Sequence, residues 1–106
     1  MSTWLHADLH PRNVLCQAGR ITGILDWGDV CVGDCATDLA AIWYLFDDPL
    51  AREQAMSHYG ADEACWMRAR GWALAISVLL GGMHDPAEAH YRAIAANTLR
   101  NLQAGP

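Results

Sequence analysis

Residues 6–13 read His6-Ala7-Asp8-Leu9-His10-Pro11-Arg12-Asn13, and downstream the chain reads Asp26-Trp27-Gly28-Asp29. Between these stretches, Asn13-Val14-Leu15-Cys16-Gln17 and Arg20-Ile21-Thr22-Gly23-Ile24-Leu25 flank Ala18-Gly19. Two short apolar runs around a glycine-containing turn predict a β-hairpin. Strand alternation puts Ile21, Gly23 and Leu25 on one side and Ile24 on the other. The hairpin delivers the chain to a polar, glycine-punctuated loop that runs through Asp26 and Asp29 to Gly33-Asp34.

Beyond about residue 36 the patterning is helical. Thr37 is placed to N-cap a helix in which Leu39, Ile42, Trp43 and Phe46 recur at helical spacing. Asp47-Asp48-Pro49 stops it, and Pro49 opens a second helix that ends near Gly60. A longer helix is expected from about Asp62 to Leu80. Its stretch Trp72 to Leu80 is apolar almost all round, which predicts the centre of a bundle. Gly81-Gly82 ends it, and a last helix runs from Pro86 to about Leu102 with Asp85 at its start. The fold class expected is α+β, mainly α: a β-hairpin with functional loops packed on about four helices. Residues 1–35 form the loop-and-hairpin part and 36–106 the helical part of one unit.

The chain has 106 residues, 53% of them hydrophobic, and a net charge of −5. That length argues for one domain or a piece of one, and the apolar fraction excludes a disordered tail. No apolar run reaches the roughly 20 residues that span a bilayer, and Met1 to His10 is too polar for a signal peptide. Seven basic residues against twelve acidic ones leave no broad cationic surface for nucleic acid. A cytoplasmic protein without nucleic-acid or membrane partners is expected. Cys16, Cys31, Cys35 and Cys65 are read as reduced thiols serving as small buried hydrophobes, because the Cys31/Cys35 spacing is not that of a zinc knuckle.

The chemistry concentrates in the non-helical part. Asp8, Asp26, Asp29, Asp34 and Asp38 gather at or near its loops with only Arg12 and Arg20 for company. Carboxylates at strand ends suit Mg²⁺, a hard cation that takes carboxylate, phosphate and water oxygens. His6, Asp8 and Asn13 follow H-x-D-x-x-x-x-N, the spacing of the protein-kinase catalytic loop, and Asp26-Trp27-Gly28 stands where kinases carry Asp-Phe-Gly. Each motif is weak alone. Their order and the short hairpin joining them make the pair specific.

With these residues in view, HADLHPRNVL (6–15), ITGILDWGD (21–29) and VGDCATDLA (32–40) resemble the aminoglycoside phosphotransferase family. The resemblance covers about the first 40 residues. It implies a protein-kinase-like fold, of which this chain matches a partial C-terminal lobe. It implies transfer of the γ-phosphoryl of ATP or GTP to a small-molecule hydroxyl. By resemblance Asp8 is the catalytic base, and Asn13 and Asp26 are Mg²⁺ ligands. His6, His10 and Asp38 support the loop. An aminoglycoside-type acceptor, and with it antibiotic resistance, is one implied role. Ala7 and Arg12 stand where the family usually has glycine, and Cys35 replaces a common proline. None of these departures removes a reacting group.

No glycine-rich phosphate loop and no strand lysine followed by a helix glutamate occur in the sequence. An isolated chain without the nucleotide lobe is expected to be inactive. Its partners would be a hydroxylated acceptor and either the missing N-terminal lobe or a second copy. Two other classes fit the residues. A non-catalytic interaction module would use the apolar helix faces around Trp66, Trp72 and Leu79. A metal-dependent hydrolase would use His6, Asp8 and His10, which share one face if that segment is an extended strand.

Overall fold

The computed structural model describes residues 2–104; Met1, Gly105 and Pro106, at the ends of the expected 1–106 unit, lie outside the described residues. Strand β1 (Ser2–Leu5) is followed by a 3₁₀ turn (Pro11–Asn13), β2 (Val14–Gln17), β3 (Arg20–Ile24) and β4 (Cys31–Asp34). Helices α1 (Ala36–Leu39), α2 (Ala41–Leu45), α3 (Pro49–Tyr59) and α4 (Glu63–Gly81) come next. A second 3₁₀ turn (Pro86–Glu88) and α5 (Ala89–Gln103) complete the order. The fold is α+β and mainly helical.

The hairpin forms as expected. Ala18 (φ 52°) and Gly19 (φ 77°) are both left-handed, the requirement of a type I′ two-residue turn. The alternation expected along β3 does not hold. Leu15 pairs with Gly23 but Cys16 pairs with Ile21, so Thr22 is bulged out and the facing of the strand shifts there.

Residues 31–34, expected to lie in a loop, are a strand. β4 pairs antiparallel with β1, with Trp4 opposite Val32 and Leu5 opposite Cys31. Gly33 lets Leu5 lie close over the pair, since a Cβ there would stand 3.0 Å from Leu5 Cδ1 and the leucine would have to shift. The pairing joins segments far apart in sequence, and no local pattern announces it.

The expected first helix is two short segments meeting at Ala40, where Trp43 N–H bonds the Ala40 carbonyl in a tight turn. Thr37 does not cap it. It lies within the first turn, and its hydroxyl donates to the Asp34 carbonyl while the Asp34 carboxylate receives the Ala36 amide. Asp48 caps α3, Asp62 caps α4 and Asp85 receives the Ala87 amide at the last 3₁₀ turn. Gly60, left-handed at φ 78°, ends α3.

Helix α4 is not a bundle centre. Ala69, Ala73 and Ser77 form its buried stripe, whereas Leu74, Val78 and Leu79 are more than half exposed. Small residues four apart let α4 approach α5 and α1 closely. Continuous apolarity carries no face information, so the sequence could not show which side would be left open. The core gathers Ala36, Ala40, Trp43, Trp66 and Leu102 from α1, α2, α4 and α5.

Arg52, wholly buried on α3, ties these helices. Its guanidinium donates to the Phe46 carbonyl at 2.7 Å, the Asp47 carbonyl at 3.1 Å and the Asn101 carbonyl at 3.3 Å. The Asn101 amide in turn donates to the Trp43 carbonyl and to Asp47. No helix among the described residues is long and apolar enough to cross a membrane.

Candidate active site

The loop after β1 turns at Ala7, whose backbone is left-handed at φ 70°. This turn breaks any extended strand through residues 6–10, so His6, Asp8 and His10 do not share a strand face. His6 is buried and both ring nitrogens are engaged. Its Nδ1 accepts the Asp8 amide at 3.1 Å, and its Nε2 faces the Leu25 carbonyl at 2.7 Å. A carbonyl only accepts, so the ring is the Nε2–H tautomer. These engagements correct the metal-hydrolase reading, because His6 has no nitrogen left for a metal.

His6 thereby connects the two loops singled out by the sequence. It reaches from the Asp8 amide to the residue before Asp26, and its ring meets Trp27 edge-on at 4.6 Å. A second link runs parallel to it. Leu25 N–H donates to the Asn13 carbonyl at 2.7 Å, which sets Asn13 and Asp26 at the same end of the hairpin. Trp27 donates its indole N–H to the Ile24 carbonyl and fastens that loop.

The 3₁₀ turn at Pro11–Asn13 aims Asn13 back at Asp8. Its amide nitrogen donates to the Asp8 carbonyl at 2.9 Å and to Asp8 Oδ2 at 3.2 Å. His10 caps this turn by accepting the Arg12 amide on Nδ1, and its Nε2 stands 3.6 Å from Asp8 Oδ1. Burial lowers the His10 pKa, with Asp8 opposing that shift and Arg12 adding to it. Asp38, on α1, accepts the backbone amides of His6 and Ala7 on its two oxygens.

The residues fit a hard divalent cation. With its nitrogen turned toward Asp8, Asn13 keeps its side-chain oxygen without a partner among the described residues. The Asp26 carboxylate forms no hydrogen bond or ion pair among the described residues. Asp26 is also left-handed, at φ 59°, a conformation that Asp tolerates better than most residues and that recurs at functional sites. One amide oxygen and one free carboxylate are the donors Mg²⁺ prefers.

The profile of the phosphotransferase enzyme family, the aminoglycoside phosphotransferase or APH family, matches residues 1–72. The chain belongs to this family. Over 48 residues the chain is 42% identical to the uncharacterized protein YcbJ of Bacillus subtilis (strain 168), a stretch covering 44% of this chain and 16% of YcbJ. Over 40 residues it is 40% identical to hygromycin-B 4-O-kinase of Escherichia coli, covering 38% of this chain and 12% of that enzyme. The chain thus spans less than a fifth of the length of these curated relatives. No solved structure matches it significantly.

The structure also shows features that the sequence did not mark. A cavity of about 350 Å³ opens beside Asp8 and is walled by Tyr44, Trp72 and Tyr91. These aromatics carry the spacing of core residues, and no motif set them apart. Asp34, Cys35 and Cys65 cluster at the start of α1 and α4, with the two sulfurs 3.5 Å apart. Burial, reinforced by Cys35, pushes the Cys65 thiol up to about 11. Arg68 donates to both Asp34 oxygens and holds that carboxyl below its ordinary range. All four cysteines are free, but only Cys65 is buried, Cys35 is half-buried, and Cys16 and Cys31 are exposed. The expectation of four buried thiols is corrected accordingly: Cys16 on β2 and Cys31 on β4 are exposed among the described residues.

Proposed function

We propose that this chain is the catalytic-loop portion of a small-molecule kinase that moves the γ-phosphoryl of ATP or GTP to a hydroxyl. The observation that supports the reading is the pair of links, His6 to Leu25 and Leu25 to Asn13, that ties the Asp8 loop and Asn13 to the residue before Asp26. Asp8 is the base. It orients the acceptor hydroxyl and takes its proton. The hydroxyl oxygen bonds to the γ-phosphorus as the bond to the β–γ bridging oxygen breaks, and a nucleoside diphosphate leaves. Asn13 and Asp26 hold Mg²⁺, which when bound neutralises charge on the phosphates. His6, His10 and Asp38 keep the Asp8 loop in place. The kinase-like fold is part of this reading, as is a cytoplasmic setting.

The test uses the protein at the length its own cell makes, with labelled nucleoside triphosphate and a panel of hydroxylated acceptors. Asp8→Asn lowers transfer about a thousandfold while Mg²⁺-dependent nucleotide binding persists. Asp26→Ala weakens that binding. Retained transfer in Asp8→Asn refutes the base, and an unchanged metal titration in Asp26→Ala refutes the ligand.

A second reading, a non-catalytic association module, rests on Met67, Leu74 and Val78, an exposed stripe along α4. Sedimentation equilibrium decides it. A mass that rises with concentration and falls back in Leu74→Glu supports it, and a constant monomer mass removes it.

A further inference from the structure

Cys35 and Cys65 stand 30 residues apart in sequence, and the fold brings their sulfurs to 3.5 Å. Cys35 caps the start of α1, at the position where the family resemblance has a common proline. Cys65 lies in the first turn of α4. Neither takes part in the site around Asp8. Two sulfurs in contact need to close by only about 1.5 Å to reach a disulfide bond of about 2.05 Å, a displacement that side-chain rotation supplies.

The two thiols are not equivalent. Cys35 is half-buried and open to a small oxidant, whereas Cys65 is buried behind it. Burial also pushes the Cys65 thiol up to about 11, so it ionises less readily near neutral pH. Zinc is the other chemistry that paired thiols serve. Asp34 offers a third ligand atom within 4.8 Å of both sulfurs. Arg68, however, donates to both Asp34 oxygens, which puts a fixed cation against the place a metal ion would take. Two sulfurs and a carboxylate already paired with a guanidinium make a poor zinc site.

We propose that Cys35 and Cys65 are a reversible redox site, with Cys35 the thiol that meets a peroxide and Cys65 the thiol that resolves it. The Cys35 sulfur, as thiolate, attacks one oxygen of hydrogen peroxide. The O–O bond breaks, the departing hydroxide takes the proton released by Cys35 and leaves as water, and Cys35 becomes a sulfenic acid. The Cys65 sulfur then attacks the Cys35 sulfur. The S–O bond breaks, and the second hydroxide leaves as water with the Cys65 proton. Two thiols are oxidised to one disulfide and one peroxide is reduced to two waters. An external dithiol reverses the step by exchange, as expected of a redox-responsive pair. The bond clamps α1 to α4. Because α1 carries Asp38, which holds the His6 and Ala7 amides, the clamp acts on the element that supports the Asp8 loop. The site is independent of the phosphotransferase reading.

The test treats the protein, at the length its own cell makes and at micromolar concentration, with hydrogen peroxide. Iodoacetamide then blocks the remaining thiols before tryptic digestion. Cleavage after Arg20, Arg52 and Arg68 leaves Cys31 and Cys35 on residues 21–52 and Cys65 on residues 53–68. Mass spectrometry is expected to find these peptides joined through Cys35, with Cys31 alkylated, and separated by dithiothreitol. The link should form at least about tenfold faster in the folded protein than in urea, because folding holds the sulfurs together. Cys65→Ala should leave a Cys35 sulfenic acid that dimedone traps, and Cys35→Ala should leave Cys65 untrapped. The mapping and the urea comparison use the parent protein and need no variant to fold. A Cys31–Cys35 bond in place of the Cys35–Cys65 bond, equal rates in urea, or trapping at Cys65 but not at Cys35 would overturn the proposal. So would one equivalent of Zn²⁺ bound by the reduced protein and lost in both variants. Hydrogen exchange at Leu39 and Ala40, whose amides donate to the Cys35 and Ala36 carbonyls, should slow severalfold in the oxidised form. Unchanged exchange there would overturn the clamp.

Discussion

The Asp38 carboxylate receives the backbone N–H of His6 at 2.6 Å and of Ala7 at 2.8 Å, joining α1 to the loop that carries Asp8. Two successive amides on one carboxylate fix the direction of that loop. Charge-assisted bonds of this kind are stronger than neutral ones. Asp38→Ala leaves two amides without a partner and should cost about 2–3 kcal/mol. Hydrogen exchange at His6 and Ala7 should quicken by about 30-fold or more. Unchanged protection at those amides would show that Asp38 does not hold the loop.

Ala7 is held at φ 70°, where a Cβ is unfavourable, and the resemblance places glycine at this position. Ala7→Gly relieves that strain against a larger entropy in the unfolded chain. A net gain of about 0.5–1 kcal/mol follows. Urea denaturation at constant slope reads it directly. A loss of stability would mean that the Ala7 methyl makes a contact worth more than the strain.

Arg52 is wholly buried and its guanidinium donates to the carbonyls of Phe46, Asp47 and Asn101. Arg52→Ala removes the bonds and leaves a cavity between α2, α3 and α5. The expected loss is about 3–5 kcal/mol, as for breaking other buried charged networks. Arg52→Lys should recover little, because one ammonium cannot match the planar fork. A thermal melt within a few degrees of the parent would refute this role.

Asp47 has its pKa lowered, first by the hydrogen bond from Asn101 and then by that from Asn97. Asp34 is lowered by Arg68 and by the Ala36 amide. A depressed carboxyl stabilises the fold above its unfolded value of about 3.9 and loses that contribution as pH falls through the folded value. Stability should therefore be level in this respect near neutrality and decline below about pH 4. Asp47→Asn should flatten the acid limb of a pH-dependent melting curve. An acid limb identical to the parent's would assign the decline to other groups.

Much of this protein was legible in the sequence because the signals were local. Ala18-Gly19 between apolar runs marked the hairpin, since only small or flexible residues suit two consecutive left-handed positions. Asp48-Pro49, Gly60 and Asp62 marked helix ends through capping chemistry that operates within a turn. The spacing of Asp8, Asn13 and Asp26 pointed to one family. What required the tertiary structure was every relationship between distant segments. The β1–β4 pairing, the Arg68–Asp34 bond and the open face of α4 depend on which surfaces meet, and an apolar run does not encode which of its sides is covered. The meeting of Tyr44, Trp72 and Asp8 at one cavity is of the same kind. Three helices and a loop must pack before an aromatic that reads as core becomes the wall of a cavity.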